Sequence, residues 1–261
     1  MFGRWLSGAS VGPDWTERAS RRAFAGSRPV YVRRPWRAVQ RIHWFPDRLP
    51  DITVAKRSKS SARWLAEHAA DPYVKRAHAE GWRSRAAFKL EEIQRSDRLL
   101  RPGMTVVDLG AAPGGWSQYA ARVLGGRGRV IALDLLEMPA LPGVEFIQGD
   151  FSDETVLERL RASLGEARVD LVMSDMAPNM SGMADVDHDR SMHLVDLAVE
   201  FAGQTLRPGG DLLMKVFQGR EFQPLIARLR RGFESVKLRK PKASRARSAE
   251  LYVLARGYRL V

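Results

Sequence analysis

Lys215 is the residue whose place in the sequence most needs an explanation. It interrupts the apolar run from Leu212 to Phe217, which otherwise has the composition of a buried central strand. A buried ammonium is costly unless an acceptor lies beside it. Asp175 follows a second apolar run, and the carboxyl ends of parallel strands are where α/β sheets build their sites. An amine and a carboxylate brought together there could position and move a proton.

A second chemical signal is the segment from Val106 to Trp116, where an apolar strand leads into a glycine turn and then a helix. Glycines there let the backbone approach a ligand closely, although the turn lacks the GxGxxG spacing of dinucleotide sites. Asp134 lies 20 residues beyond Gly114, where an acid accepts hydrogen bonds from ribose hydroxyls, and Asp150 could meet an adenine edge. The alternative is that the glycines only turn the chain and the acids cap helices.

Four segments resemble the FtsJ family of ribose 2′-O-methyltransferases: DLGAAPGGWSQ, MSDMAPNMSG, KVFQG and SRARSAELYV. They occur in the family's order, and the resemblance extends over residues 56–257. It implies a Rossmann-like α/β fold, with helices on both faces of a seven-stranded sheet whose last two strands form an antiparallel pair. It also implies S-adenosyl-L-methionine as the cofactor, with contacts at Gly114, Trp116, Asp134, Asp150 and Asp175.

The same resemblance implies a catalytic tetrad of Lys89, Asp175, Lys215 and Glu250, with no departure from the family pattern. Methyl transfer to a ribose needs the 2′-oxygen aligned with the methyl carbon and relieved of its proton. Lys215 is the predicted proton acceptor. Burial and the cation of Lys89 favour its neutral amine, whereas both carboxylates favour the ammonium, which would instead stabilise the developing alkoxide. The sequence leaves both mechanisms open.

The tetrad has a simpler interpretation as a set of unrelated ion pairs. Lys89 and Glu92 are one helical turn apart, and Glu250 is close in sequence to Arg247. Lys215, within its apolar strand, does not fit that interpretation.

Composition limits the classes of protein to consider. The 261 residues carry a formal net charge of +13, which favours a polyanionic partner such as nucleic acid or an acidic membrane surface. The absence of Cys excludes disulfide scaffolds, thiolate metal sites and cysteine nucleophiles. The five His lack metal-ligand spacing, so no metal is predicted, although His188 and His193 could face a substrate. With no membrane-length apolar run and no signal peptide, a cytoplasmic protein that does not associate with membranes is predicted.

Basic residues cluster at three places that adjoin or lead to the predicted tetrad. The segment KLRKPKASRAR, with a proline and two serines, suits a loop laid along phosphates. Such contacts carry no base information, so target choice would come from RNA shape and a splayed nucleotide. The alternative for each cluster is a solvated face. The predicted RNA-binding residues are Lys56, Arg57, Lys59, Arg63, Arg83, Arg85, Lys237, Arg239, Lys240, Lys242, Arg245 and Arg247.

The elements that must position these residues alternate between strand and helix patterns from about Ser58 onward, which favours a parallel sheet. The predicted strands are Thr105–Leu109, Arg129–Leu133, Val144–Gln148, Asp170–Ser174, Asp211–Phe217, Ser235–Arg239 and Leu251–Ala255. The predicted helices are Ala86–Arg95, Trp116–Leu124, Glu154–Leu164, His188–Thr205 and Pro224–Arg231. Gly125, Gly165 and Gly209 are predicted to end three of these helices.

Residues 56–261 are therefore predicted to form one methyltransferase domain, and residues 1–55 an irregular basic extension. Three interpretations of the extension compete: an RNA-binding arm, an Arg-rich targeting peptide, or a segment absent from the native protein, which would then start at Val54.

The resemblance implies an enzyme that methylates a uridine ribose in 23S ribosomal RNA, within the large ribosomal subunit. It implies no oligomer, so a monomer is assumed. Two related alternatives are a transfer RNA ribose and an mRNA cap as substrate. An alternative from another class is a non-catalytic ribosome-assembly factor that binds RNA through its basic face. A nicotinamide dehydrogenase is disfavoured by the missing GxGxxG.

Overall fold

The computed structural model of the chain describes residues 71–179, 181–245 and 248–260. The predicted extension of residues 1–55 lies outside these ranges. Within them the chain forms six helices and seven strands. In chain order these are α1 Pro72–Ala79, α2 Ala86–Asp97, β1 Thr105–Leu109, α3 Gly115–Leu124, β2 Arg129–Asp134, β3 Val144–Gln148, α4 Glu154–Leu164, β4 Val169–Ser174, α5 Ala184–Thr205, β5 Leu206–Phe217, α6 Phe222–Gly232, β6 Phe233–Arg239 and β7 Glu250–Tyr258.

The seven strands form one mixed sheet with the order β3-β2-β1-β4-β5-β7-β6. The strands from β3 to β5 in this order pair in parallel, whereas β7 is antiparallel to both β5 and β6. The predicted Rossmann-like sheet, including its antiparallel last pair, is therefore confirmed.

Helices cover both faces of the sheet because alternate residues of the buried strands point to opposite sides. Val106 packs on one side with Leu90 of α2 and Trp116 of α3. Its neighbour Val107 belongs to the core on the other side, which includes Leu160 of α4. The face of α2 and α3 is the one that carries the predicted catalytic residues.

Sequence signals at the helix ends mostly agree with the structure. Asp71 and Asp153 accept hydrogen bonds from backbone amides at the starts of α1 and α4, as capping residues do. Gly125 and Gly165 follow α3 and α4, as predicted, and both have positive φ angles. The short helix α1 has no counterpart among the predicted elements.

The prediction that Gly209 ends α5 is wrong. The helix ends at Thr205, and β5 begins at the next residue. The pairing of β5 with β4 jumps from Leu206 to Asp211, so residues 207–210 bulge out of the ladder. Gly209 supplies the positive φ of 76° that this bulge uses.

None of the helices within the described ranges is long and apolar enough to cross a membrane.

Asp108, on the inner strand β1, is a buried carboxyl with one hydrogen-bonded oxygen. Ser117 of α3 donates to its Oδ2 at 2.6 Å, while its Oδ1 has no hydrogen-bond partner. Burial raises the pKa of Asp108 from its ordinary value of 3.8 to about 7, although the Ser117 hydroxyl acts in the opposite direction. Below about pH 7 the neutral acid is therefore the main form of Asp108 in the folded protein.

This shift makes the stability of the fold depend on pH with a definite sign. Between the unfolded-state pKa of 3.8 and the folded-state pKa of about 7, the folded protein binds more protons than the unfolded chain. The contribution of protonated Asp108 to the free energy of unfolding is therefore fully present below pH 4 and is lost as pH rises through 7. We expect Asp108→Asn to remove this dependence. Relative to Asp108→Asn, the wild type should lose about 2 to 3 kcal/mol between pH 5 and pH 8, measured by urea unfolding. Parallel stability profiles for the two proteins would contradict the assignment.

Candidate active site

The four predicted catalytic side chains meet around the hydroxyl of a fifth residue, Tyr252. Lys215 Nζ lies 3.0 Å from Asp175 Oδ1 and donates to the Asp175 main-chain oxygen at 2.5 Å. Lys89 Nζ lies 2.8 Å from Glu250 Oε1 and donates to Tyr252 Oη at 2.9 Å. The Tyr252 hydroxyl in turn donates to Asp175 Oδ1 at 2.9 Å. The result is one continuous network of two ammonium groups, two carboxylates and a phenol.

The sheet register explains why these residues converge. On the antiparallel pair of β5 and β7, Lys215 lies directly opposite Tyr252. Glu250 is two residues before Tyr252 on the same strand and therefore shares its face. Asp175 follows the end of β4, which is the other neighbour of β5, and α2 covers this face of the sheet and contributes Lys89.

The electrostatics of the network favour its charged form. Burial alone would raise the pKa of Asp175, but the ammonium groups of Lys215 and Lys89 outweigh burial and hold that pKa below its usual range. Burial likewise opposes ionisation of Glu250, and Lys89 again keeps the pKa of this carboxyl below normal. Both carboxylates are therefore charged at neutral pH, and each has a lysine as its counterion.

The interpretation of the tetrad as unrelated ion pairs does not hold for Lys89. Its ion-pair partner is Glu250, which is distant in sequence at the start of β7. Glu92 instead accepts a hydrogen bond from the backbone amide of Lys242. The other suggested partner, Arg247, lies outside the described residues.

Tyr252 is the participant that sequence analysis missed. A tyrosine in a strand is common, and only its spacing of two from Glu250, which places both side chains on one face of the strand, could have pointed to it. Its side chain is fully buried and packs against Trp116, with the ring centroids 5.6 Å apart. Burial and the neighbouring carboxylates raise the pKa of its hydroxyl well above 10, so the phenol stays protonated and donates.

The glycine turn lies next to this network. A Cβ on Gly110 would lie 2.6 Å from Met176 Cγ, so the turn and the segment after Asp175 are in close contact. Gly114 has a φ of 105°, and a Cβ there would meet the side chains of Met138 and Leu141. Only glycine is accommodated at these two positions without displacing a neighbour.

The predicted cofactor-binding acids have backbone partners in the structure. Asp134 accepts from the amide of Ala112 on one oxygen and from the amide of Leu136 on the other, both at 2.8 Å. Asp150 accepts from the amide and hydroxyl of Ser152. The Asp134 carboxylate therefore joins the glycine turn to the loop that follows β2.

Trp116 does not present its indole to a cleft. The side chain is buried in the core, and its Nε1 donates to the carbonyl of Ala86 at 2.9 Å. A contact of Trp116 with a cofactor would consequently involve its main chain.

Comparison with known proteins assigns this arrangement to a family. The model of the FtsJ-like methyltransferase family matches residues 82–258. The chain belongs to the FtsJ-like methyltransferase family. It is 61% identical over 204 residues to the ribosomal RNA large subunit methyltransferase E of Xanthomonas oryzae, covering 78% of this chain and 97% of that one. The protein of the same name from Pseudomonas paraeruginosa is 59% identical over 203 residues, covering 78% of this chain and 98% of that one.

A solved structure supports the same assignment. The crystal structure of a ribosomal RNA methyltransferase from Plasmodium falciparum aligns with a TM-score of 0.62 at 28% identity, covering 68% of this chain and 98% of that one. The protein is thus a methyltransferase enzyme with the family's fold.

Many of the basic residues predicted to bind RNA are engaged with groups of the methyltransferase itself. Arg239 donates to both carboxylate oxygens of the buried Asp97, at 2.7 and 2.6 Å, and Lys237 lies 3.8 Å from the same carboxylate. Arg85 donates to Asp71 and to the carbonyl of Ala243. These side chains hold β6 and the loop after it against α2.

Arg83 donates to main-chain carbonyls of Pro113, Pro139 and Ala140. The other predicted RNA-binding residues fall into three groups. The ammonium of Lys240 donates to main-chain carbonyls of Ser248 and Glu250, and Arg245 lies 3.9 Å from Asp71. Lys242 is exposed. Five lie outside the described residues: Lys56, Arg57, Lys59, Arg63 and Arg247.

His188 and His193 differ in their surroundings. His193 is exposed on α5, whereas His188 is half-buried and contacts the carboxylate of Glu221 next to α6. Its ring lies so close to Gly219 that any Cβ there would overlap it. Among the described residues no cluster of three or more His, Cys, Asp or Glu could hold a metal ion.

The Tyr252 bridge generates a kinetic prediction. Without the phenol, Lys89 and Asp175 lose the hydrogen bonds that fix their relative positions, so we expect Tyr252→Phe to lower kcat for methyl transfer about tenfold, with KM for the methyl donor unchanged. The matched control is Tyr258→Phe, which removes a β7 hydroxyl that donates to the carbonyl of Gly203 at 2.9 Å. If Tyr258→Phe lowered kcat as much, the effect would be one of strand stability and not of the network.

Proposed function

We propose that the protein is an S-adenosyl-L-methionine-dependent enzyme that methylates the ribose 2′-oxygen of a uridine in 23S ribosomal RNA, within the large ribosomal subunit and in the cytoplasm. The observation that carries this proposal is the ion pair of Lys215 and Asp175 beside the glycine turn, an amine and a carboxylate that could position a hydroxyl and its proton. The names of the Xanthomonas and Pseudomonas relatives support the choice of RNA.

The residues around the glycine turn fit the cofactor. Gly114 lets the turn pack closely against the loop after β2, since a Cβ there would lie 2.8 Å from Met138 Sδ, and its main chain carries no side chain that would block a ligand. Asp134 presents a carboxylate at the end of β2, where ribose hydroxyls are bound in folds of this kind. Gly114, Asp134 and Asp150, the main chain of Trp116, and Asp175 are the proposed contacts. When bound, the sulfonium cofactor supplies the methyl group.

Lys215 is the group that we assign to the reacting hydroxyl. Its ammonium is held by two acceptors, the carboxylate and the main-chain oxygen of Asp175. These acceptors stabilise the charged amine, which supports a role in which Lys215 steers the hydroxyl and stabilises the negative charge that develops on the 2′-oxygen as its proton passes to solvent. The role of proton acceptor, predicted from sequence, requires Lys215 first to give up a proton.

The other three members of the tetrad position and balance Lys215. Asp175 keeps its charge because both lysines lower its pKa, so it can orient the Lys215 ammonium throughout the reaction. Lys89 and Glu250 form the second ion pair, which Tyr252 ties to the first. Lys89, Lys215 and Tyr252 are buried, and Asp175 and Glu250 expose only 18% and 12% of their side chains, so bulk water has little access to the network.

Lys215→Met provides the direct test of this assignment. We expect it to lower the rate of methyl transfer by about 10²- to 10⁴-fold, the range for loss of a group that handles a proton. Binding of S-adenosylhomocysteine, measured by calorimetry, should be retained. Turnover of the variant within a few fold of the wild type would exclude Lys215 from the reaction.

The substrate is tested by assaying methyl transfer to isolated large subunits, free 23S RNA and transfer RNA in parallel. Incorporation into the large subunit, at a uridine ribose, is the expected result. Preferred methylation of transfer RNA, or no incorporation into any of the three, would contradict the proposal.

The RNA-facing surface is proposed to include the loop between β6 and β7. Ala243 of this loop packs against Phe88 of α2, one residue from Lys89, so the loop is docked beside the tetrad. Lys242, next to it, is exposed.

We expect Lys242→Met to reduce the steepness with which RNA affinity falls with salt, by about 0.7 to 1 in the slope of log affinity against log salt. The control is Arg231→Met, which removes an exposed charge from α6 on the opposite face of the sheet. Equal slopes for the wild type and Lys242→Met would remove this loop from the interface.

A further inference from the structure

Arg83 lies in the turn between α1 and α2, and its guanidinium donates to three main-chain carbonyls. Nη1 donates to Pro139 at 2.6 Å and to Pro113 at 3.4 Å, and Nη2 donates to Ala140 at 2.7 Å. Pro113 belongs to the glycine turn after β1, whereas Pro139 and Ala140 belong to the loop after β2. One side chain therefore joins two loops that come from different strands.

The main chain around Arg83 is docked on the same region. The amide of Arg83 donates to Gln118 Oε1 of α3, and Gln118 Nε2 donates to the carbonyl of Gly81, both at 2.9 Å. The next residue, Ser84, lies so close to Gly115 that a Cβ there would approach its Oγ to 2.2 Å. The turn before α2 therefore fits closely against the glycine turn, which places the guanidinium where it can reach both loops.

These two loops carry the residues proposed to bind the cofactor. Gly114 follows Pro113 directly, and a Cβ on Gly114 would lie 3.1 Å from Arg83 Cδ. Asp134 precedes the second loop and is itself hydrogen-bonded to the amides of Ala112 and Leu136. Arg83 and Asp134 thus tie the same two loops together, one from each end.

We propose that Arg83 is a positioning residue of the cofactor site, which holds the two loops at the spacing that the cofactor requires, and that it is not a phosphate contact. This inference rests on the proposed function. Three of the five N–H donors of the guanidinium are directed at carbonyls of the protein, which fixes its orientation toward the two loops. A planar fork with several fixed N–H groups can serve three carbonyls at once, which a lysine ammonium on a flexible stem does not reproduce.

The test compares the binding of S-adenosylhomocysteine by calorimetry in the full chain for the wild type, Arg83→Lys, Arg83→Met and Lys75→Met. Lys75 is exposed on α1, the helix before the turn of Arg83, so its substitution removes one charge and none of the hydrogen bonds that Arg83 makes. We expect both Arg83 variants to bind about tenfold more weakly, as the loss of one to two net hydrogen bonds would produce, and Lys75→Met to bind like the wild type.

RNA binding provides the second measurement, because a role of Arg83 as a phosphate contact and its role as a positioning residue predict opposite results. If Arg83 positions the loops, the salt dependence of RNA affinity is the same for Arg83→Met and the wild type. If it contacts phosphate, the slope falls by about 1 and the affinity for S-adenosylhomocysteine is unchanged, which would overturn the inference.

Failure of this inference is distinguishable from failure of the proposed function. A wild-type protein that does not bind S-adenosylhomocysteine would refute the proposed cofactor. A wild type that binds it, together with Arg83 variants that bind equally well, would refute only the role of Arg83. If Arg83→Met does not fold by circular dichroism, Arg83→Lys, which keeps the charge and most of the aliphatic stem, decides the question.

Discussion

The structure of the site depends on the burial of Lys215 inside the sheet. An ammonium in that position is tolerated because Asp175 supplies a carboxylate and a carbonyl to it at hydrogen-bonding distance. Asp175 in turn would be destabilised by its own burial without the two lysines that lower its pKa. Lys215 and Asp175 can therefore be held in this site only because each compensates the charge of the other. The network as a whole balances two cations against two anions, so the loss of one member leaves its partner buried and uncompensated.

The position of β7, antiparallel to β5 and between β5 and β6, brings the charged groups of the network together. If β5 were the edge of a purely parallel sheet, Lys215 would face solvent on one side, and no strand would carry Tyr252 opposite it. Because β7 runs back beside β5, one strand supplies both Tyr252 and Glu250 on the face that α2 covers. The phenol then joins two ion pairs whose members come from four separate segments of the chain. The pairing of β5 with β7 therefore determines both the order of the strands at this end of the sheet and the contacts among the side chains of the network.

The sequence predicted the sheet well because its signals are local and strong. Apolar strands of five to seven residues with helical patterns between them recovered all seven strands, and β1 and β3 have the predicted boundaries. Lys215 was visible because it breaks an apolar run, and Asp175 because it ends one. Tyr252 was not visible, since tyrosine is an ordinary strand residue and its function comes only from what it faces. The helix α1 was missed because eight residues with few apolar positions give a weak periodic signal.

The basic clusters show a different kind of limit. A run such as KLRKPKASRAR reports how many charges lie in a segment, but not which carboxylates fold against them. Asp97 is far from Arg239 in sequence, yet it accepts a bidentate hydrogen bond from that side chain and is almost completely buried. Part of the positive charge that suggested an RNA-binding surface is therefore used inside the domain, to hold β6 against α2. The same long-range pairing separates Arg83, whose donors are directed at loop carbonyls, from Lys242, whose side chain is exposed. The number of basic residues in a segment therefore does not show which of them can bind RNA until the fold shows which are paired with carboxylates or carbonyls of the protein.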